Sequence, residues 1–452
     1  VAPARSGRAK LRRWALAASL GGFLFGYQVG VVGGALLSVR RDFGLSALDQ
    51  GLLVSLLPLG ALVGSIVNGR VADEFGRRRT LMLDAAVFLG GAALAAVAPN
   101  FAVLLVARAL VGLAVGSVSA AVPLYLSEIA PPALRGRLVT TNQVLVTLGI
   151  LVAYLVSLAF PSSWRTMFGA GVVPAVVFLL ALTRCPETPA WLQAHGDEEG
   201  ARRVLSQVVD DQEARRMLDA QRVGPEPRPG VRARLRSIAG PPLLLGLTLA
   251  VLQQLSGINA VFSYAPSIME KSGLSASSSI LAALVVAGVN AGATLVALPL
   301  VDRVGRRPLL LVSFAGMALA LALFGLTFTT AGGSAAPLAC LVAFILAFEL
   351  GLGPIFWLLI AEIFRPEGKA TAVSACTAVN WLSNFAVGLA FPSVAAWVGQ
   401  GRVFWIFAVS CALGLVFVHR FVPETKARVF PEIDAELRSR FTRAWFSPTG
   451  VG

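Results

Sequence analysis

The chain has 452 residues, 56% hydrophobic and only 14% charged, with a mean hydropathy of +0.76. Soluble domains carry roughly a quarter charged residues, which excludes a large soluble enzyme as the leading reading. The net charge of +14 does not indicate a nucleic-acid partner, because the bases fall in short clusters between apolar runs.

Apolar stretches of about 20 residues, each enough to cross a hydrocarbon core of about 30 Å, recur along the whole chain. Arg5, Arg8, Lys10, Arg12 and Arg13 lead into a full-length span, and no cleavable signal is evident. Twelve spans are predicted, at 14–38, 50–72, 79–98, 101–123, 138–160, 165–183, 241–266, 277–301, 308–330, 335–361, 371–397 and 402–422. The expected architecture is an all-α integral membrane protein: a six-helix half at 1–183, a linker at 184–240, a second six-helix half at 241–423 and a tail at 424–452. The linker is rich in Arg, Glu and Asp, and its pattern suits short amphipathic helices, as at Ala201–Leu205 and Glu213–Leu218. Lys and Arg concentrate at the N-terminus, Arg77–Arg79, Arg135 and Arg137, the linker, Arg303–Arg307, Arg365, Lys369 and the tail. The excess of positive charge on the inner side therefore places both termini and the linker in the cytoplasm. Cys185, Cys340, Cys376 and Cys411 show no metal spacing, and His195 and His419 lie far apart, so no metal or other cofactor is expected.

Charged punctuation occurs once in each half. Gly76-Arg77-Arg78 is echoed by Gly305-Arg306-Arg307, each following an Asp (Asp73, Asp302). Glu128-Ile129 is echoed by Glu362-Ile363, and Pro186-Glu187-Thr188 by Pro423-Glu424-Thr425. Such doubling points to two parallel repeats with a binding site between them. Gly21, Gly22, Gly26 and Gly30 in span one, Gly112, Gly116 and Pro123 in span four, Gly257 in span seven, and Gly351, Gly353 and Pro354 in span ten are candidate bends. Close helix packing is the other use of small residues.

Uncharged polar side chains inside apolar spans are costly unless partnered. Span seven holds Gln253-Gln254-Leu255-Ser256-Gly257-Ile258-Asn259. Gln253 and Asn259 lie about 240° apart on a regular helix, so a break near Ser256-Gly257 is required to aim all three amides at one point. Gln143, Asn290, Asn380 and Asn384 add amides from spans five, eight and eleven. Amides both donate and accept, which suits a neutral polyhydroxylated ligand; single amides also serve as glue between helices. Trp357 and Trp381 offer aromatic faces, and Phe25, Phe262 and Phe348 offer apolar walls.

These motifs together resemble the sugar porter family of the major facilitator superfamily, over roughly 14–430. They are Gly69-Arg70-Val71-Ala72-Asp73-Glu74-Phe75-Gly76-Arg77-Arg78, Pro186-Glu187-Thr188-Pro189-Ala190-Trp191-Leu192, the span-seven amide string, Gly353-Pro354 with Trp357, and Pro423-Glu424-Thr425-Lys426. The resemblance implies transport of a monosaccharide, a hexose such as glucose, by alternating access across the plasma membrane. There is no catalytic residue, and the partners are the sugar and the bilayer. It implies sugar contacts from Gln143, Gln253, Gln254, Asn259, Asn290 and Trp357, with Phe25, Gly353 and Asn384 lining the cavity. It also implies a cytoplasmic charge latch of Arg77, Glu128, Arg135, Glu349, Glu362 and Arg306, and a protein that works as a monomer.

Two departures bear on mechanism. Ala190 stands where the family pattern has Arg, which removes one latch contact. Gln28 stands where proton-coupled members typically have an Asp facing the span-four Arg, here Arg108. An amide cannot bind and release a proton, so the expectation is facilitated diffusion. The alternatives are a proton–sugar symporter, native with Asp84 or Glu349 as proton carrier or with Gln28 an engineered change, and, from another class, a non-transporting sugar sensor. Asp84 is otherwise expected to cap or orient a helix end.

Overall fold

Where no water can reach the backbone, its N–H and C=O groups must be satisfied within the segment, and this chain does so with helices. The computed structural model describes residues 5–131, 134–221, 240–329, 335–365, 369–426, 428 and 430–446, and no strand occurs among them. The chain divides into two compact units. The first is Val1–Gly44 with Leu56–Arg228, and the second is Leu45–Ser55 with Pro229–Gly452. Among the described residues, twelve spans are long and apolar enough to cross a membrane.

The first unit is built on α1 (Arg5–Phe43), α2 (Ala47–Phe75, whose first turns group with the other unit), α3 (Arg77–Ala96), α4 (Phe101–Ile129) and α5 (Arg135–Ala159). The sixth span is split into α6 (Trp164–Gly169) and α7 (Val172–Thr183). Asn100 starts α4 by accepting the Val103 N–H at 3.0 Å, the N-cap geometry that satisfies a free amide of the first turn. Spans one and four, expected to bend, run unbroken as α1 and α4. Their glycines are consumed by packing: a Cβ on Gly26 would lie 1.8 Å from the Val146 carbonyl oxygen of α5, and one on Gly116 would lie 2.0 Å from that of Ala61. Pro123 sits within α4 without ending it.

Beyond the sixth span lie three short helices, α8 (Pro189–Ala194), α9 (Glu198–Leu205) and α10 (Asp211–Gln221). Ala201, Leu205, Ala214, Met217 and Leu218 form their small core, with Leu192 and Val209 against it. The extended start of α1 docks there too, with Gly7 against Val208 and Lys10 Nζ 3.5 Å from Gln207 Oε1. The linker stretch 222–239 and the end of the tail, 447–452, lie outside the described residues.

The second unit holds α11 (Pro241–Leu255) and α12 (Ile258–Lys271), α13 (Ala276–Val304), α14 (Arg306–Thr327), α15 (Ala335–Glu349) and α16 (Leu352–Glu362), α17 (Lys369–Val398) and α18 (Gln400–Phe421). Spans seven and ten are broken, as their glycines predict. Gly257 takes φ +84°, a left-handed conformation open to glycine at little cost. A final helix, α19 (Phe430–Phe446), follows within the tail. It buries Ile433, Leu437 and Phe441 at four-residue spacing, and Arg365 holds its Asp434 at 3.2 Å. The four cysteines are unpaired.

Candidate functional site: amides at a helix break

The break between α11 and α12 brings the span-seven amides together. Asn259 Nδ2 donates to Gln254 Oε1 at 2.7 Å, a contact that a continuous helix would forbid. Gln254 Nε2 donates to Asn380 Oδ1 of α17 at 3.1 Å, and Asn380 Nδ2 donates to Gln253 Oε1 at 2.7 Å. Gln253 Nε2 in turn donates to the Leu352 carbonyl, at the break between α15 and α16, at 3.2 Å. Gln253, Gln254 and Asn380 are buried, while Asn259 is partly exposed. Buried amides joined in this way are individually satisfied and mutually oriented.

Other predicted residues of this unit fall around that network without joining it. Asn290 and Asn384 are buried, and Asn290 Oδ1 has no partner among the described residues. Thr294, one turn beyond Asn290, donates to the Asn290 carbonyl at 2.9 Å and meets Glu349 Oε2 at 3.0 Å. The Glu349 contact given by the structure is thus to a hydroxyl. Trp357 is 44% exposed and meets Phe356 edge to face at 4.9 Å. Gly353 packs against the Phe348 ring.

In the first unit, Gln143 is exposed and Phe25 partly so. Arg108 Nη1 donates to both the backbone carbonyl and Oε1 of Gln28, each at 3.3 Å, deep in the unit. The Arg108 guanidinium lies 5.7 Å from the Phe168 ring centre. Asp84 does not cap α3. Its carboxylate meets the Ser117 hydroxyl of α4 at 2.9 Å, and that hydroxyl also reaches Asn68 Oδ1 of α2 at 3.1 Å, so the residue braces three helices.

The doubled punctuation folds into two matching clusters. In the first unit, Glu187 accepts from the backbone N–H of Arg77 at 2.9 Å and of Arg78 at 3.1 Å, capping α3. The Arg77 guanidinium pairs with Glu128 at 3.2 Å and donates to the Ala72 carbonyl at 2.9 Å. Arg78 donates to the Leu182 carbonyl at 3.0 Å. In the second unit, Glu424 accepts from Arg306 N–H at 3.0 Å and Arg307 N–H at 3.1 Å, capping α14. Arg306 pairs with Glu362 at 2.9 Å and donates to the Val301 carbonyl at 3.3 Å, while Arg307 donates to that of His419 at 2.9 Å. The Thr425 hydroxyl donates to Glu362 at 2.5 Å, while the Thr188 hydroxyl accepts the Trp191 N–H at 3.4 Å. Gly76 and Gly305 turn the chain into each cap at φ +96° and +110°. Burial opposes ionisation of Glu424, but N–H donors from Lys426, Arg306, Arg307 and Thr425 outweigh it and hold this carboxyl below the usual range. The side chains of Arg135 and Asp302 lie outside the described residues.

Known proteins agree with this architecture. The family model described as "Sugar (and other) transporter" matches residues 14–437. The glucose transporter GlcP of Staphylococcus epidermidis is 39% identical over 430 residues, which cover 93% of this chain and 96% of that protein. The galactose-proton symporter of Escherichia coli is 35% identical, with 93% of each chain covered. The xylose transporter XylE of E. coli, solved in an inward open conformation, superposes with a TM-score of 0.83 at 28% identity, over 94% of this chain and 99% of that one. These relatives are transporters, not enzymes. The chain belongs to the sugar porter family of the major facilitator superfamily and is a multi-pass membrane protein of sugar transport.

Proposed function

We propose that this protein carries a monosaccharide, a hexose such as glucose, across the plasma membrane by facilitated diffusion through alternating access. The observation that carries the reading is the convergence of Gln253, Gln254 and Asn259 at the α11–α12 break. A neutral, hydroxyl-rich ligand exchanges its hydrogen bonds with water for bonds to such amides at little net cost. Gln143, Asn290 and Trp357 complete the sugar contacts, with Phe25, Gly353 and Asn384 lining the cavity. A hexose is favoured by the likeness to a glucose transporter.

In this reading the chain is organised as two halves, 1–183 and 241–423, joined by a linker at 184–240 and followed by a tail at 424–452. Both termini and the linker face the cytoplasm, and the protein acts as a monomer. Arg77, Glu128, Arg135, Glu349, Glu362 and Arg306 form the cytoplasmic latch, which tightens and loosens as the halves rock. Transport is uncoupled because Gln28, beside Arg108, has no proton to exchange.

Purified protein in liposomes is expected to equilibrate labelled glucose in a counterflow assay. Absence of flux for every hexose and pentose tested would sink the proposal. Proton–sugar symport is the second reading, favoured by the likeness to a galactose-proton symporter. Uphill accumulation under an imposed pH gradient would establish it in place of facilitated diffusion.

A further inference from the structure

Every amide in the α11–α12 network has two possible orientations, with oxygen and nitrogen exchanged. Two backbone carbonyls remove that freedom. The Leu352 carbonyl can only accept, so Gln253 must turn its nitrogen there and its oxygen toward Asn380. Asn380 must then turn its nitrogen toward Gln253, and that same nitrogen lies 3.4 Å from the Ala250 carbonyl, which also can only accept. The Asn380 oxygen is thereby aimed at Gln254, which must donate to it. The Gln254 oxygen consequently faces Asn259, which donates at 2.7 Å. Four amides are set like a row of dominoes, and Asn380 is the piece that joins the two glutamines across helices.

An amide nitrogen has two hydrogens and its oxygen two lone pairs. Both hydrogens of Asn380 are committed, one to Gln253 and one to Ala250. Gln253 and Gln254 each keep one further N–H, while each oxygen already accepts one bond from within the network. Asn259 keeps one N–H and its oxygen.

We infer that Asn380 is a positioning residue that carries the hydrogen-bond polarity set at Leu352 across to Gln254, so that Gln254, like Gln253, offers the sugar an N–H donor. This rests on the reading of Gln253, Gln254 and Asn259 as sugar contacts. The sugar oxygens that meet the glutamine N–H groups act as acceptors. A ligand that keeps an acceptor at a glutamine-facing ring position is retained even when it has lost the hydroxyl proton.

The test uses the full-length transporter in liposomes, with deoxy- and fluorodeoxyglucoses as competitors of glucose counterflow at each ring position. Fluorine keeps an acceptor and removes the donor; hydrogen removes both. For the wild-type chain, at least one position is expected at which the fluoro analogue competes about five- to tenfold better than the deoxy analogue, the scale of one net hydrogen bond. In Asn380→Leu the two analogues are expected to converge within about twofold at one such position at least, with a raised KM and little change in maximal exchange, because the released Gln254 amide can invert while Leu352 still holds Gln253. Asn380→Ala serves if the Leu variant is not recovered. It too offers Gln254 no acceptor, and the same analogue ratio is expected to collapse.

An unchanged ratio in both variants, while Gln253→Ala and Gln254→Ala weaken glucose competition, overturns the positioning role and leaves the sugar site standing. A wild-type chain that never favours fluorine over hydrogen overturns the assigned polarity. Glucose competition unaffected by Gln253→Ala and Gln254→Ala overturns the sugar reading itself.

Discussion

Glu424 caps the helix that Arg306 begins, 118 residues earlier in the chain, with its carboxylate 3.0 Å from the Arg306 amide nitrogen. The same oxygen also accepts from Thr425 and Lys426 at 2.9 Å each, so one side chain satisfies donors on two separate segments. A carboxylate at a helix N-terminus gains from both the free amides and the helix dipole.

This cap sets a pH dependence. A carboxyl held below its usual range contributes stability above the unfolded value, and that stability is lost as pH falls through the folded value. The thermal midpoint in detergent is expected to fall on acidification below about pH 4.3, the unperturbed glutamate value. Glu424→Gln should lower the midpoint at neutral pH and flatten this acid limb. An acid limb of unchanged steepness in the variant would assign it to other groups.

Thr425 tests the second cluster. Thr425→Val keeps the shape but removes the hydroxyl that meets Glu362. A hydrogen bond to a charged group contributes about 1.5–3 kcal/mol, so a clear drop in thermal midpoint is expected.

At Gly257 the backbone is left-handed, and a Cβ would lie 2.5 Å from the Phe407 ring. Gly257→Ala is expected to cost about 1–2 kcal/mol from the backbone and about 1–3 kcal/mol from overpacking. Adding Phe407→Ala should recover part of the second term only. Thermal midpoints of the single and double variants, read with glucose counterflow, check both contributions.

Gln28→Asp restores a titratable group within reach of Arg108. If facilitated diffusion follows from the amide, the variant should show sugar exchange that varies with pH and accumulate sugar under a pH gradient, while the parent chain does neither. Identical behaviour of the two proteins would place coupling elsewhere.

Residues whose meaning is local were the most legible in the sequence. Apolar length alone marked the spans, and the angular conflict between Gln253 and Asn259 predicted the break that Gly257 makes. The glycines of spans one and four look the same in sequence, yet they serve close approach to α5 and α2, and only the neighbouring backbone distinguishes the two uses. The split of the sixth span between Gly169 and Val172 did carry a signal, Gly169 and Gly171 with Pro174 just beyond, which the surrounding apolar run obscured. The helix Phe430–Phe446 did carry a signal, Ile433, Leu437 and Phe441 at helical spacing, which the surrounding charge obscured. Asn380 could be named as one amide among several. Its orientation depends on the carbonyls of Ala250 and Leu352, which no side-chain pattern encodes.

The carbonyls gripped by the paired arginines carry a consequence for sequence drift. Ala72, Leu182, Val301 and His419 contribute only backbone oxygen to the two clusters. Any amino acid supplies that oxygen, so those four positions can mutate without erasing the acceptor. Each unit therefore needs to preserve only a handful of letters, a glycine, two arginines and two glutamates, for its own cluster to survive long divergence from the other.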